Sequence, residues 1–274
     1  GGVGLNCCAN SAIREALGVE MWVTSAAHDA GTALGAALEA AHLLGEPPPR
    51  PIRDAGLGPS FTREEVNEAA AAAGLHARDV GLGDAVARLV DGEVIGWFAG
   101  RLEYGPRALG HRSIVAHPGA PGIADRVNGI KERQGWRPFG PSVLSEEGRD
   151  WLSPGSGGPF MTFTETVRSE VAEQVPGIVH TDGSTRPQWV DEHAHPAWRE
   201  LISGFHEATG IPMVLNTSFN GRGRPIVATP ADAIAEAQAI GLDAVFLEGL
   251  VVELGQGSRG NPHGPHVVSS GRRP

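Results

Sequence analysis

Lysine is almost absent from this chain of 274 residues: of its 22 basic side chains only Lys131 is a lysine, and the rest are arginines. Such a bias fits a GC-rich coding background. An ammonium that survives in it either persists by chance or serves a tight site where a guanidinium cannot stand in. Cysteine is scarce too. Cys7 and Cys8 are the whole complement, and they are neighbours. Adjacent cysteines rarely suit disulfide geometry, which excludes a disulfide framework and points to a reducing, cytoplasmic setting with two small buried residues. No apolar run is long enough to span a bilayer, and no signal peptide opens the chain, so no membrane partner is expected. The sequence does not begin with Met and opens abruptly on "GGVGLN", so the true N-terminus is expected upstream. A formal net charge of −10 argues against a dedicated nucleic-acid binder. No GxxxxGK[ST], no GxGxxG after a strand and no GxSxG occurs, which removes the P-loop, the Rossmann fingerprint and the nucleophile elbow.

What is present reads as globular, with 41% hydrophobic and 20% charged residues and enough length for a large core. Residues 1–44 read as the end of an α/β domain. A Gly-rich turn runs into a helix, "MWVT" is a short strand, and "DAGTALGAALEAAHLL" is a helix with Asp29 near its start, where a carboxylate complements the dipole. "GEPPPRP" suits neither helix nor central strand and marks a boundary. Residues 45–79 are expected to be a linker with a short helix, opened by the capping-box pair Thr62 and Glu65. From 80 to 254 strands and helices mix. "EVIGWFA", "PFMTFTETV", "IPMVLNTSF" and "AVFLEGLVVE" read as strands, and "ADRVNGIKERQG" and "PAWRELISGFHEATG" as helices. "TPADAIAEAQAIG" is a helix bounded by Thr229, Pro230 and Gly241. The fold class is mixed α/β, with a disordered tail over 255–274.

Four stretches place cations or polar groups at strand–loop transitions: "YGPRALGHRS", "IKERQGWRPFGPS", "HTDGSTRPQ" and "LNTSFNGRGRP". Residues 101–137 hold seven cations against three acids, a local excess inside an acidic chain. Glycines among them let the backbone approach a ligand, and arginine forks hold phosphate or carboxylate. Together they describe a pocket for a small phosphorylated or carboxylated ligand, with Asn216, Thr217, Ser218 and Asn220 as its neutral rim. A solvated surface patch and an Asx/Ser turn network are the plainer alternatives. Metal signals are weak: His193 with His195, and His263 with His266, read as surface histidines.

The strings "GGVGLN", "DAGTALGAAL", "GPRALGHRSI", "KERQGWRPFGPSVL", "HTDGSTRPQ" and "LNTSFNGRGRPIV" in this order resemble the O-carbamoyltransferases of nodulation-factor and antibiotic biosynthesis, those of tobramycin, cephamycin and novobiocin among them. The resemblance runs from Gly1 to about Glu253. It implies that residues 1–44 are the C-terminal remnant of an actin-like, sugar-kinase-like ATPase domain, and that 80–254 form a YrdC-like α/β domain. It implies two substrates, carbamoyl phosphate and ATP, which react to carbamoyladenylate. Transfer to the hydroxyl of a small-molecule acceptor follows, at a site with a divalent metal, iron or magnesium. No nucleic acid is implied, and a homodimer is compatible with it. Carried over residue by residue, Lys131, Arg137 and Arg186 bind carbamoyl phosphate, and Gly105, Arg107 and Arg112 shape the phosphate site. Asn216, Ser218 and Asn220 contact the adenylate. Gly1, Gly2 and Asn6 belong to the first domain's nucleotide side, and Asp29 matches a metal ligand. Two departures stand out. The family's HxxxH pair is missing, and Arg224 occupies a place where the family pattern has Glu. A threonylcarbamoyladenylate-forming enzyme and a non-catalytic anion- or nucleotide-binding module are the alternatives.

Overall fold

The structure, a computed structural model, describes residues 1–47, 52–155 and 157–254. It is mixed α/β, as expected. The helices are α1 (Cys7–Leu17), α2 (Gly31–Leu43), α3 (Arg63–Ala72), α4 (Leu82–Val90), α5 (Ile123–Ile130), α6 (Pro196–Thr209) and α7 (Pro230–Ile240). Eleven strands occur among the described residues: β1 (Ala77–Asp79), β2 (Ile95–Phe98), β3 (Arg112–Ala116), β4 (Gly140–Leu144), β5 (Leu152–Ser153), β6 (Glu165–Val167), β7 (Ser184–Thr185), β8 (Gln188–Val190), β9 (Met213–Ser218), β10 (Ala244–Leu247) and β11 (Leu250–Glu253).

Eight of them form one mixed sheet in the order β1-β11-β10-β2-β3-β9-β4-β8, and β5-β6-β7 make a small second sheet. The central strands β2, β3, β4 and β10 are buried along their whole length; β2 and β10 are accordingly continuous apolar runs, while β3 also buries Arg112 and Ser113 and β4 buries Ser142. α6 lays Trp198, Leu201, Ile202 and Phe205 into the core at helical spacing and packs against α4, β4 and β9. α3 pairs with α7 beside β1, β11 and β10.

Local signals placed several ends as expected. Thr62 and Glu65 close a reciprocal capping box on α3; Thr229 and Asp232 do the same on α7, which ends at Gly241 in the left-handed conformation. Each cap stabilises its helix by about 1 kcal/mol. Other expectations need correction. "MWVT" is not a strand: residues 21–24 run past α1 with no ladder partner. "PFMTFTETV" forms a strand only over β6, because Phe160 and Met161 turn into a separate apolar cluster with Ala55 and Leu109. α5 stops at Ile130, so Lys131 and Arg133 leave the helix for a loop. Within 45–79, expected as a linker with a short helix, that helix is α3, which sends Val66 and Ala70 into the main core, and β1 adds a strand the sequence did not suggest. α2 buries no residue at all. Asp29 does not cap it: the N-cap is Ala30, and Asp29 contributes only its carbonyl, to Thr32. The 255–274 tail with His263 and His266, and part of the Pro-rich boundary, lie outside the described residues.

Candidate functional site

Four strings far apart in sequence meet because their strands are neighbours. "GPRALG" leads into β3, "LNTSFN" ends β9, "WRPFG" leads into β4 and "DGSTRP" leads into β8. The sheet order β3-β9-β4-β8 sets these four side by side. The pairing Ser113↔Ser218, Gly140↔Asn216 and Ser142↔Gln188 brings the starts of β3, β4 and β8 and the end of β9 to one edge of the sheet.

A cavity of about 380 Å³ opens there, lined by Arg107, Arg133, Arg137 and Arg186 with Asn216 and Ser218. Cys7 and Cys8, from the start of α1, form the facing wall. Both thiols are free, and Cys8 is exposed, not buried as composition suggested. A wider cleft of about 910 Å³ along α1 shares Thr164 and Ser184 with this cavity.

The guanidinium groups are close enough to repel one another. Burial, then the charges of Arg186 and Arg137, push Arg107 down to about 10. Burial, then Arg137 and Arg186, does the same to Arg133. Burial and Arg137 also push Arg186 down, with Cys7 working in the opposite sense. Arg107 and Arg133 therefore remain cations at neutral pH. Asp182, exposed and bonded to Ser184, is the one carboxylate on the wall among the described residues. The Nε atoms of Arg107 and Arg186 are buried without a protein acceptor. Unused buried donors inside a like-charged cluster are what a bound polyanion would satisfy. One acceptor is also unused. Asn216 donates its amide to Ala108 O and Ser142 Oγ, at 3.1 and 2.9 Å, which fixes its orientation and leaves Oδ1 buried without a partner.

Lys131 sits behind the rim. It is 6% exposed, and its Nζ donates to Ser218 O at 2.5 Å, Asn220 O at 2.7 Å and Asn220 Oδ1 at 3.1 Å. With Ser218 Oγ at 3.4 Å as a fourth and longest contact, these acceptors cluster around one ammonium and hold the 218–220 turn in place, a compact geometry that a planar guanidinium does not match. Arg133 is pinned by Asn128 Oδ1 and the Arg137 and Pro138 carbonyls, 4.0 Å over the Phe139 ring. It holds the loop that presents Arg137.

Not every sequence candidate is here. Arg112 points away from the cavity. It is fully buried, donates through Nη1 to the Ala99, Gly100 and His111 carbonyls and lies 3.4 Å from the Phe98 ring centroid, so it belongs to the core and does not line this cavity. Gly105 borders a shallower side pocket with Ser218, Asn220 and Arg224. At φ 142° a Cβ there would lie 2.5 Å from the Ser25 carbonyl, so the glycine lets the 24–26 segment pack on this loop. Asn6 caps α1 by accepting from Ala9 N–H at 3.0 Å, and Gly1 and Gly2 are exposed outside the cavity. Asp29 is exposed, and no three His, Cys, Asp or Glu side chains gather among the described residues, so the residues present do not form a metal site by themselves. Sequence reasoning passed over Arg133, two residues from Lys131, and the cysteines, whose approach to Arg186 spans most of the chain.

Comparison with known proteins fits this arrangement. The carbamoyltransferase C-terminus family matches residues 86–254, and the carbamoyltransferase N-terminus family matches residues 1–38. The chain belongs to the carbamoyltransferase family. It is 39% identical over 264 residues to nodulation protein NolNO of Sinorhizobium fredii, covering 92% of this chain and 39% of that protein. It is 39% identical to nodulation protein NolO of Bradyrhizobium diazoefficiens, over 90% of this chain and 47% of that one, and 35% identical to nodulation protein U of Rhizobium tropici, over 92% and 42%. The chain thus spans less than half the length of these curated relatives. Full-length HypF, solved in a phosphate- and nucleotide-bound form, aligns over 63% of this chain and 22% of its own with 15% identity and a TM-score of 0.46, too loose a likeness to assign function. Among the described residues no helix is long and apolar enough to cross a membrane.

Proposed function

We propose that the chain carries the carbamoyl-activating part of an ATP-dependent O-carbamoyltransferase. In this reading residues 80–254 are a YrdC-like domain, and residues 1–44 close an actin-like ATPase domain whose remainder lies outside this sequence. One observation carries it: four separated strings converge on a cavity holding four arginines and one exposed carboxylate.

Water cleaves carbamoyl phosphate, releasing inorganic phosphate and leaving carbamate. A carbamate oxygen attacks the α-phosphorus of ATP, the bond to the β-phosphate oxygen breaks, and pyrophosphate leaves carbamoyladenylate behind. Arg107, Arg137 and Arg186 neutralise phosphates that would otherwise repel each other, and the preorganised donors cost no reorganisation when charge shifts. Asn216 Oδ1 accepts from the carbamoyl NH2, whose donors match that unused oxygen. Lys131 and Arg133 act by fixing the Ser218–Asn220 turn and the Arg137 loop. In the second step an acceptor hydroxyl attacks the carbamoyl carbon and AMP leaves.

Pyrophosphate release from ATP, with and without carbamoyl phosphate, tests the first step. Release is expected to need carbamoyl phosphate and to fall at least 100-fold in Arg186→Ala, on the order expected for lost charge stabilisation. Release that requires bicarbonate and threonine instead would move the protein to threonylcarbamoyladenylate chemistry. Carbamoyl phosphate binding with no release would make it a binding module.

A further inference from the structure

The turn that cages Lys131 is itself held from behind. Glu236, on α7, is 4% exposed and accepts the Gly221 N–H at 2.5 Å and Arg224 Nη1 at 2.7 Å. A Cβ on residue 221 would lie 2.6 Å from Glu236 Oε1, so only glycine lets the carboxylate reach the backbone here. Asn220 links the two halves: it receives Lys131 through its carbonyl and Oδ1, and its Nδ2 donates to Arg224 O at 2.7 Å. Arg224, Glu236, the 220–221 backbone and Lys131 form one continuous network, buried at the lysine end and open to solvent at Arg224, whose side chain is 63% exposed.

We propose that Glu236 and Arg224 are a positioning pair that governs the charge of Lys131, Glu236 sustaining the ammonium and Arg224 tempering Glu236. The consequence for catalysis rests on the carbamoyl-activating reading above; the electrostatic pair does not.

The groups facing Lys131 set the balance. Arg133 and Arg137, from the loop after α5, oppose its charge, and Glu236, from α7, supports it. Ser218 and Asn220, from β9 and the following turn, supply neutral acceptors. Burial, then Arg133, draws the lysine down to about 7, so modest changes in the local field change its protonation at neutral pH. Arg224 neutralises the solvent side of a carboxylate that would otherwise act on Lys131 in full.

Because Lys131 is the only lysine, protein labelled with 13C-lysine gives a single Cε resonance, and its pH titration reads this group directly. Glu236→Gln should lower the midpoint by roughly half a pH unit or more, and Arg224→Gln should raise it. Opposite signs identify a field; loosening of the cage would move both variants the same way. Shifts of one sign, or none, overturn the proposal. If Glu236→Gln does not fold, Arg224→Gln decides alone, and an unchanged or lowered midpoint overturns it. The titration needs no turnover, so failure of pyrophosphate release would sink the catalytic reading and leave this result standing.

Discussion

Arg112 and Arg186 occupy opposite extremes of what a buried arginine can do. Arg112 is enclosed by carbonyls and a phenyl ring, and burial draws it down to about 10 although Glu103 and Glu248 support its charge. Arg186 sits among other cations with a donor unused. The first places one end of its fork among carbonyls and leaves Nε and Nη2 without a protein acceptor, so it fills the core at an electrostatic cost that no ligand at the cavity can offset. The second borders the cavity, so its charge is available to a ligand and works against the fold until one binds.

The largest effect expected from breaking this contrast is on stability. Arg112→Ala should lower the unfolding free energy by about 3 kcal/mol, because three carbonyls lose their donor and a fully buried long side chain leaves a cavity. Urea denaturation measures it, and a loss below about 1 kcal/mol would show that the residue is not a core strut. The same substitution at Arg186 should leave the melting temperature unchanged or higher and cost roughly 100-fold in pyrophosphate binding by calorimetry. Arg137, exposed at the mouth, should cost only about fivefold, and its contribution should vanish in high salt.

The smallest effect concerns the neighbour of Arg112. His111 is 1% exposed, with Nε2 2.9 Å from Asp54 Oδ1 and Nδ1 3.2 Å from Ala99 O, so both ring nitrogens donate. Burial opposes its charge, but the Asp54 bond and the Glu103 charge outweigh it and raise His111 above 6.5. Burial likewise opposes the Asp54 charge, and the His111 bond outweighs it and holds Asp54 below 3.8. A raised histidine stabilises fully below its unfolded value and loses that contribution as pH rises through the folded one. A depressed carboxylate stabilises above its unfolded value and loses it as pH falls. The pair's contribution is therefore complete between 3.8 and 6.5. The melting temperature should fall as pH rises above 6.5 in the native protein and lose that slope in His111→Gln.

"GPRALGHRS" shows how far the sequence could be read. Its arginines are five residues apart and look alike as text. Yet Arg107 precedes β3 and reaches the cavity, while Arg112 is the first residue of β3 and points into the core. Which face a strand's first side chain takes is settled by pairing with strands distant in sequence. Helix ends were legible because their determinants are local: Thr62 and Glu65 are three residues apart, as are Thr229 and Asp232. The identity of the site was legible in outline, since its cations sit beside glycine and proline turns. The roles within it were not. The sequence does not show that Lys131 holds the Ser218–Asn220 turn, nor that the stretch after the Thr62–Glu65 capping box ends in β1 paired with β11.

The cavity's walls come from α1, from the starts of β3, β4 and β8, and from the end of β9, so no fragment of the fold contains it. A ligand lodged there bridges segments more than 200 residues apart along the chain. Its binding energy is therefore felt by the whole cooperative unit. Occupancy acts as a non-covalent crosslink: it offsets the arginines' mutual repulsion and suppresses opening of the sheet edge. The molecule should be least resistant to proteolysis when its substrates are scarce.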